Sequence, residues 1–328
     1  MTSSITGWGA ALPIGVLDNA ELAARLGVTE DWIFSRTGIR SRHIASSTDT
    51  TSALASRAGA EAVQRARLSP GDIDLVIVAT VTPDLQLPAT ASLVQATLGC
   101  SEAGAFDLNA GCAGFLYGLA QAQGAIASGS ARRVLVCGAD ILSRVTDYSD
   151  ARSCVLFGDG AGAVVVEASA GPAMPFVLRS DGSMPELLFI PRDEGVIRMR
   201  GREVFRYAVD GMSSALIDAL GGARMAAADI DLIVFHQANA RIVDAIVARM
   251  GLDPDKVMVN IAAVGNTSAA SIPLALAEAA RQDRLAPGAT VAVAAFGAGF
   301  AWGAGIVHWA PREPTAAAIS DQPVEVVA

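Results

Sequence analysis

Three residues set far apart in this chain of 328 residues could act together on a thioester: Cys112, His236 and Asn266. Cys112 lies in Asn109-Ala110-Gly111-Cys112-Ala113-Gly114-Phe115. An apolar strand pattern ends just before it, and a helical pattern from Leu116 to Ala122 follows. The flanking glycines let the backbone turn sharply and approach a substrate closely. A thiol at a helix N-terminus feels the positive end of the dipole and unpaired N–H groups, both of which favour thiolate. The same residue would also suit a small buried position, because free cysteine is among the most buried residue types.

A thiolate that takes an acyl group needs an oxyanion hole of backbone N–H groups. The amides of Cys112 and of Ala298, in the turn Phe296-Gly297-Ala298-Gly299, are the candidates. Decarboxylating a malonyl thioester makes an enolate, so donors must point at the thioester oxygen. A neutral histidine and an asparagine amide supply them, each typically worth roughly 3 kcal/mol at the transition state. His236 ends an apolar strand, Asp229 to Phe235, whereas His43 lies in an arginine-rich segment and His308 in a last strand. Asn266 would alternatively cap a helix. Cysteine, histidine and asparagine also serve papain-like proteases, but the glycine turns and the repeat described next do not fit one.

The positioning elements read as an α/β chain. Apolar runs Asp72–Thr80 and Asp229–Phe235 are buried strands of a sheet covered on both faces. Helical patterning covers residues 51–66, 89–98, 203–220, 241–250 and 269–281. Asp72-Ile73-Asp74-Leu75-Val76 recurs 157 residues later as Asp229-Ile230-Asp231-Leu232-Ile233, and the same offset carries Asn109 to Asn266. Such a shared offset indicates duplication. It predicts an N-terminal half over 1–170, a C-terminal half over 171–310 and a loosely held tail over 311–328. A less regular stretch, 171–200, would cover a tunnel. Residues 32–43 combine Trp32 with Arg36, Arg40 and Arg42 around a glycine turn. Arginine forks and an indole face suit a phosphate-bearing ligand with a base, although an ordinary basic surface loop would look the same.

Composition narrows the partners. Hydrophobic residues make up 52% and charged residues 17%, which predicts a large core and a buried subunit interface. A net charge of -9 argues against general binding to nucleic acid or anionic membranes. No signal peptide or spanning segment is read, and four cysteines without CxxC spacing indicate neither zinc nor a disulfide scaffold. A reducing cytoplasm is the expected home.

From about Ile5 to Trp309 the chain resembles the β-ketoacyl-acyl-carrier-protein synthase III family of the thiolase superfamily. The resemblance rests on Trp32 with Arg36-Thr37-Gly38-Ile39, the cysteine motif 109–115, Phe157-Gly158-Asp159-Gly160-Ala161-Gly162, His236-Gln237-Ala238-Asn239, Gly265-Asn266-Thr267-Ser268-Ala269-Ala270-Ser271 and Phe296-Gly297-Ala298-Gly299-Phe300. It implies a duplicated thiolase-like αβαβα layered fold and a homodimer. It makes Cys112 the acyl carrier, with His236 and Asn266 activating a malonyl thioester on an acyl carrier protein. Trp32 and Arg36 would line the coenzyme A entrance, Asn239 the pantetheine tunnel, and Arg241 and Arg249 a carrier-docking patch. Coenzyme A thioesters would be substrates, with no permanently bound cofactor. Leu87 falls where acetyl-CoA-using members carry phenylalanine, so it would widen the acyl pocket for a longer or branched starter. An entrance arginine of the family falls on Ala151.

The competing reading is an acyltransferase that passes the acyl group from Cys112 to another acceptor, with His236 as base. Asn266 favours condensation, because simple transfer needs no enolate stabiliser. The Cys–His–Asn set argues against a non-catalytic scaffold. A degradative thiolase would want a second cysteine near the last glycine turn, and none follows Cys154.

Overall fold

The computed structural model describes residues 2–171 and 175–312. The tail reading therefore falls, beyond Arg312, outside the described residues. In chain order the first half contains β1 (Thr2–Ala11), β2 (Gly15–Asp18), α1 (Asn19–Leu26), α2 (Glu30–Thr37), β3 (Ser41–Ile44), α3 (Thr51–Arg65), β4 (Leu75–Ala79), α4 (Thr90–Leu98), β5 (Gly104–Leu108), α5 (Gly114–Ser128), β6 (Arg133–Ile141) and β7 (Asp159–Ser169). The second contains β8 (Phe176–Ser180), β9 (Leu188–Phe189), β10 (Arg198–Met199), α6 (Gly201–Ala223), β11 (Leu232–Phe235), α7 (Ala240–Met250), β12 (Val257–Met258), α8 (Ile261–Val264), α9 (Ser271–Arg281), β13 (Thr290–Gly297) and β14 (Ala301–Trp309).

Strand pairing follows one scheme twice. β4 runs parallel to β5 and β6, β6 turns antiparallel to β7, and β7 pairs antiparallel with β1. β11 runs parallel to β12 and β13, β13 turns antiparallel to β14, and β14 pairs antiparallel with β8. A short parallel contact, Ser4 to His308 and Ile5 to Trp309, joins the two sets. Parallel strands need both faces covered, and helices supply the cover. α3 and α4 pack outside the first set, α6 and α7 outside the second, and α5 and α9 lie between. Three apolar clusters fill the spaces, the central one built from Phe115, Leu116 and Leu119 of α5 with Ile272 and Leu276 of α9. This is a layered α/β fold of the thiolase type.

Two strand readings contract. The runs starting at Asp72 and Asp229 become strands only at Leu75 and Leu232, because short 3-10 turns, Pro70–Asp72 and Ala227–Asp229, precede them. Of the stretch 171–200, residues 175–200 are more ordered than the composition suggests. They supply β8 to the main sheet and fold β9 against β10 as a two-stranded ribbon. Arg198 of that ribbon bonds Asp147 at 2.8 Å, and Ile197 N donates to Val145 O at 2.7 Å.

Candidate active site

Cys112 sits where β5 breaks into α5. Asn109 Oδ1 accepts from Gly111 N at 3.2 Å, and Gly111 takes φ 56°. That left-handed turn costs glycine little and other residues more. A Cβ on Gly111 would lie 2.7 Å from Ala298 N, so the turn after β13 lies against the cysteine turn. The backbones of Cys112 and Ala298, the two candidate oxyanion donors, thus meet at the end of a shared cavity.

β11 delivers His236, whose N–H extends the ladder to Ala294 O at 2.8 Å. Asn266 is tied to the other half: its N–H donates to Leu156 O at 2.8 Å and its carbonyl accepts from Gly158 N at 2.9 Å. Cys112, His236 and Asn266 line one cavity of about 1480 Å³, together with Phe296, Ala298 and Gly299. Leu142, Leu156, Phe157, Leu188, Ile197 and Met212 are among its apolar walls. The β9–β10 ribbon forms part of the covering, as expected of that stretch.

The hydrogen bonds orient both donors. Asn266 Oδ1 accepts from Ser268 N at 2.9 Å, which leaves Nδ2 for the cavity. His236 Nδ1 bonds Ser271 Oγ at 2.8 Å, which leaves Nε2. Burial lowers the His236 pKa to about 4, so the ring is neutral near pH 7. The expectation of a thiolate at Cys112 is reversed. Burial pushes the thiol up to about 11, outweighing the Ser268 hydroxyl that pulls it down, and the buried Asp140 carboxylate pushes the same way as burial. Cys112 is half-buried and lines the cavity, with protein groups packed around it. Desolvation there exceeds the pull of the helix end. Ser268 is 1% exposed and holds φ 51°, and its hydroxyl makes no hydrogen bond of ordinary geometry.

Of the other predicted residues, Trp32, Arg36, Asn239 and Arg241 line the cavity mouth. The Arg36 guanidinium stacks on the Trp32 ring at 4.4 Å. Asn239 lies there too, but its amide is committed: Oδ1 caps α7 through Arg241 N at 3.0 Å, and Nδ2 donates to Arg36 O at 2.9 Å. Arg249 lies outside the lining, on the surface, paired with Asp210.

Two expectations are corrected. Leu87 does not line this cavity and is 84% exposed, because the segment between β4 and α4 carries it to the surface. Residues 32–43 are no basic loop. α2 and β3 take most of them, Arg40 stacks on Phe34, and Arg42 is fully buried, donating to Leu17 O, Asn19 Oδ1 and Val155 O. Only Arg36 of the three arginines reaches the cavity. Sequence reasoning passed over Arg200 and Arg202, which join Arg152 at the mouth, and Ser271, which sits behind His236. The run Arg198-Met199-Arg200-Gly201-Arg202 at the start of α6 was a visible signal for two of them. Ala151, at the family's entrance arginine, also lines the cavity, and Arg152 beside it is held by Asp150 at 2.8 Å.

The layering and this cavity define a thiolase-like condensing enzyme. The family model described as 3-oxoacyl-[acyl-carrier-protein (ACP)] synthase III matches residues 106–182, and its C-terminal counterpart matches residues 220–309. The chain is 47% identical to the β-ketoacyl-[acyl-carrier-protein] synthase III of Erythrobacter litoralis (strain HTCC2594), covering 94% of this chain and 99% of that one. Two solved structures superpose with a TM-score of 0.91. One is 3-oxoacyl-[acyl-carrier-protein] synthase III from Aquifex aeolicus VF5, with 42% identity over 94% of this chain and 100% of that one. The other is the enzyme of the same name from Pseudomonas aeruginosa PAO1, with 41% identity over 96% and 100%. The chain belongs to the β-ketoacyl-acyl-carrier-protein synthase III family and is an acyltransferase.

Proposed function

We propose that this enzyme joins an acyl-CoA starter to malonyl-acyl carrier protein by decarboxylative Claisen condensation, with Cys112 as acyl carrier and His236 and Asn266 as enolate stabilisers. The observation that carries these roles is the meeting of Cys112 with two oriented N–H donors in one cavity.

In the first half-reaction the sulfur of Cys112 attacks the thioester carbonyl. The backbone amides of Cys112 and Ala298 receive the oxyanion. The C–S bond to coenzyme A breaks, and the proton of the Cys112 thiol leaves with the coenzyme A thiol. In the second half-reaction the malonyl carboxylate leaves as CO2, and its bonding pair passes into the enolate. His236 Nε2 and Asn266 Nδ2 donate to the thioester oxygen as charge builds there. The enolate carbon attacks the acyl-Cys112 carbonyl, the sulfur departs and is reprotonated from solvent, and a 3-oxoacyl thioester remains on the carrier.

Transfer to an oxygen or nitrogen acceptor fits less well. It would ask His236 to act as general base, and a ring with pKa about 4 is a weak one.

Trp32 and Arg36 would line the coenzyme A entrance, the indole against the base and the guanidinium on phosphate, with Asn239 bracing the mouth and Arg241 in the carrier-docking patch. Arg249 would add to the docking patch, where local field outweighs net charge. The twice-used pairing scheme supports a duplicated αβαβα architecture with halves over 1–170 and 171–310. A homodimer would cover Phe106 on the open edge at β5 and the exposed Leu87, and only through it could Leu87 reach an acyl pocket, that of the partner. Among the described residues no helix is long and apolar enough to cross a membrane, which agrees with a cytoplasmic setting.

The test is intact-protein mass after exposure to a panel of acyl-CoAs, with Cys112→Ala as control, followed by malonyl-carrier. A Cys112-dependent adduct that disappears as CO2 and a 3-oxoacyl-carrier form is expected. An adduct that persists with malonyl-carrier but discharges onto another acceptor would overturn the condensation reading.

A further inference from the structure

We infer that Ser271 is a positioning residue for the reaction: its hydroxyl donates to His236 Nδ1 and so holds the proton of the neutral ring on Nε2, the nitrogen that faces the substrate.

The inference rests on a count of donors and acceptors in a closed space. Ser271 opens α9 and is 1% exposed, and His236 is 2% exposed. Ser271 Oγ has two partners among the described residues, the backbone N–H of Gln237 at 2.8 Å and His236 Nδ1 at 2.8 Å. The Gln237 N–H can only donate, so the oxygen accepts there. Gln237 cannot swing away, because its Nε2 donates to Phe235 O at 2.8 Å and Met258 O at 3.2 Å. The hydroxyl has one proton, and Nδ1 is the one acceptor it touches. If Nδ1 carried hydrogen instead, the serine oxygen would accept twice, and its own proton would be buried without an acceptor, which is costly. The neutral ring satisfies every group only with Nδ1 as acceptor and Nε2 as N–H.

That choice decides the chemistry. An Nε2–H donates to the developing enolate oxygen alongside Asn266 Nδ2, whereas a bare Nε2 would set a lone pair against it. A ring nitrogen's role is fixed by the bond its partner nitrogen makes. Ser271 acts only through His236, so it bears on decarboxylation and not on loading of Cys112, which needs backbone amides alone. The inference rests on the condensation reading for its rate effect, while the tautomer can be measured independently of turnover.

The experiment has two parts. The chain contains three histidines, His43, His236 and His308, so the ring nitrogens of 15N-histidine-labelled enzyme can be resolved, with His236→Gln identifying the signals of His236. The expected spectrum of the unmodified enzyme shows His236 protonated on Nε2. Protonation on Nδ1 overturns the inference whatever the variants do. Second, Ser271→Ala is followed by mass spectrometry through both half-reactions. Acylation of Cys112 is expected within about 2-fold of the unmodified enzyme, while malonyl-dependent discharge slows about 10- to 100-fold, the range for removing a group that orients a functional histidine. Ser271→Thr, which keeps the hydroxyl, is expected to restore most of that loss. Unchanged discharge in Ser271→Ala, or an equal loss of both half-reactions, overturns it. Failure of the unmodified enzyme to discharge onto malonyl-carrier would instead sink the condensation reading and leave the tautomer result standing.

Discussion

Gly297 and Cys112 touch through their backbones. A Cβ on Gly297 would lie 2.5 Å from Cys112 N and 2.9 Å from Ala113 N. The end of β13, from the second half, thus presses on the amide that should receive the oxyanion, and the contact leaves no room for a side chain.

Gly297→Ala must displace that backbone, since the atoms it meets belong to the main chain. Acylation of Cys112 is expected to slow at least about 100-fold, the effect of losing one oxyanion donor. Stability should fall by about 1–3 kcal/mol, as for other overpacked cores. Adduct formation by mass spectrometry and a thermal melt check both, and acylation at the usual rate would mean that this contact does not shape the oxyanion site.

Cys112 should show the alkylation profile of a desolvated thiol. With its pKa raised to about 11, the rate with iodoacetamide is expected to climb about tenfold per pH unit from 7 upward and level off only near 11. The sign follows from burial disfavouring the thiolate. A plateau by pH 8 would show that the helix end prevails after all.

His236 should impose an acid limit well below the ordinary histidine range. Its folded pKa is depressed to about 4 from an unfolded value near 6.5. Between those values the unfolded chain binds a proton that the folded one refuses. Stability from the neutral ring is therefore complete above pH 6.5 and lost as pH falls toward 4, by roughly 3 kcal/mol. Urea unfolding from pH 7 to 4 should show this slope, and His236→Asn should flatten it. Malonyl-dependent discharge should keep its histidine-linked activity down to about pH 4–5.

Asn266→Asp separates the half-reactions. The carboxylate can still accept from Ser268 N, so the loop should hold, but the cavity gains an acceptor where a donor stood. Malonyl-dependent discharge is expected to fall about 100- to 1000-fold, with acyl-Cys112 still formed. Accumulated adduct in the mass spectrum is the signature. Rapid discharge by this variant would remove Asn266 from the enolate site.

Asn239 can be dissected by two substitutions. Asn239→Ala loses the α7 cap, costing about 1 kcal/mol, together with the tie to Arg36. Asn239→Asp keeps the capping oxygen and loses only that tie. Both should raise KM for acyl-CoA several-fold with little change in kcat, and Asn239→Ala alone should melt earlier. Equal KM in all three proteins would mean that the bracket does not organise the mouth.

What the sequence determined by itself was whatever short-range pattern encodes. Glycines around Cys112, an apolar run ending at His236 and the 157-residue offset from Asn109 to Asn266 announced the three residues and the ends that carry them. Composition and repeated strands announced a layered α/β fold. Only tertiary structure decided the states of those residues. Burial is set by everything that packs on a group, so the thiol of Cys112 rose where its helix position alone argued for a fall, and His236 became neutral. Arg42 carries the same charge as Arg36 on paper, yet one is enclosed by carbonyl oxygens and the other faces the cavity. Leu87 looked like a pocket residue because it falls at the family's phenylalanine position, but within this chain the fold turns it outward. The partners that orient the site lie far along the chain, Ser271 35 residues from His236 and Arg36 203 residues from Asn239. Periodicity says which face of an element is apolar; which two polar atoms meet inside is decided only when the elements have packed.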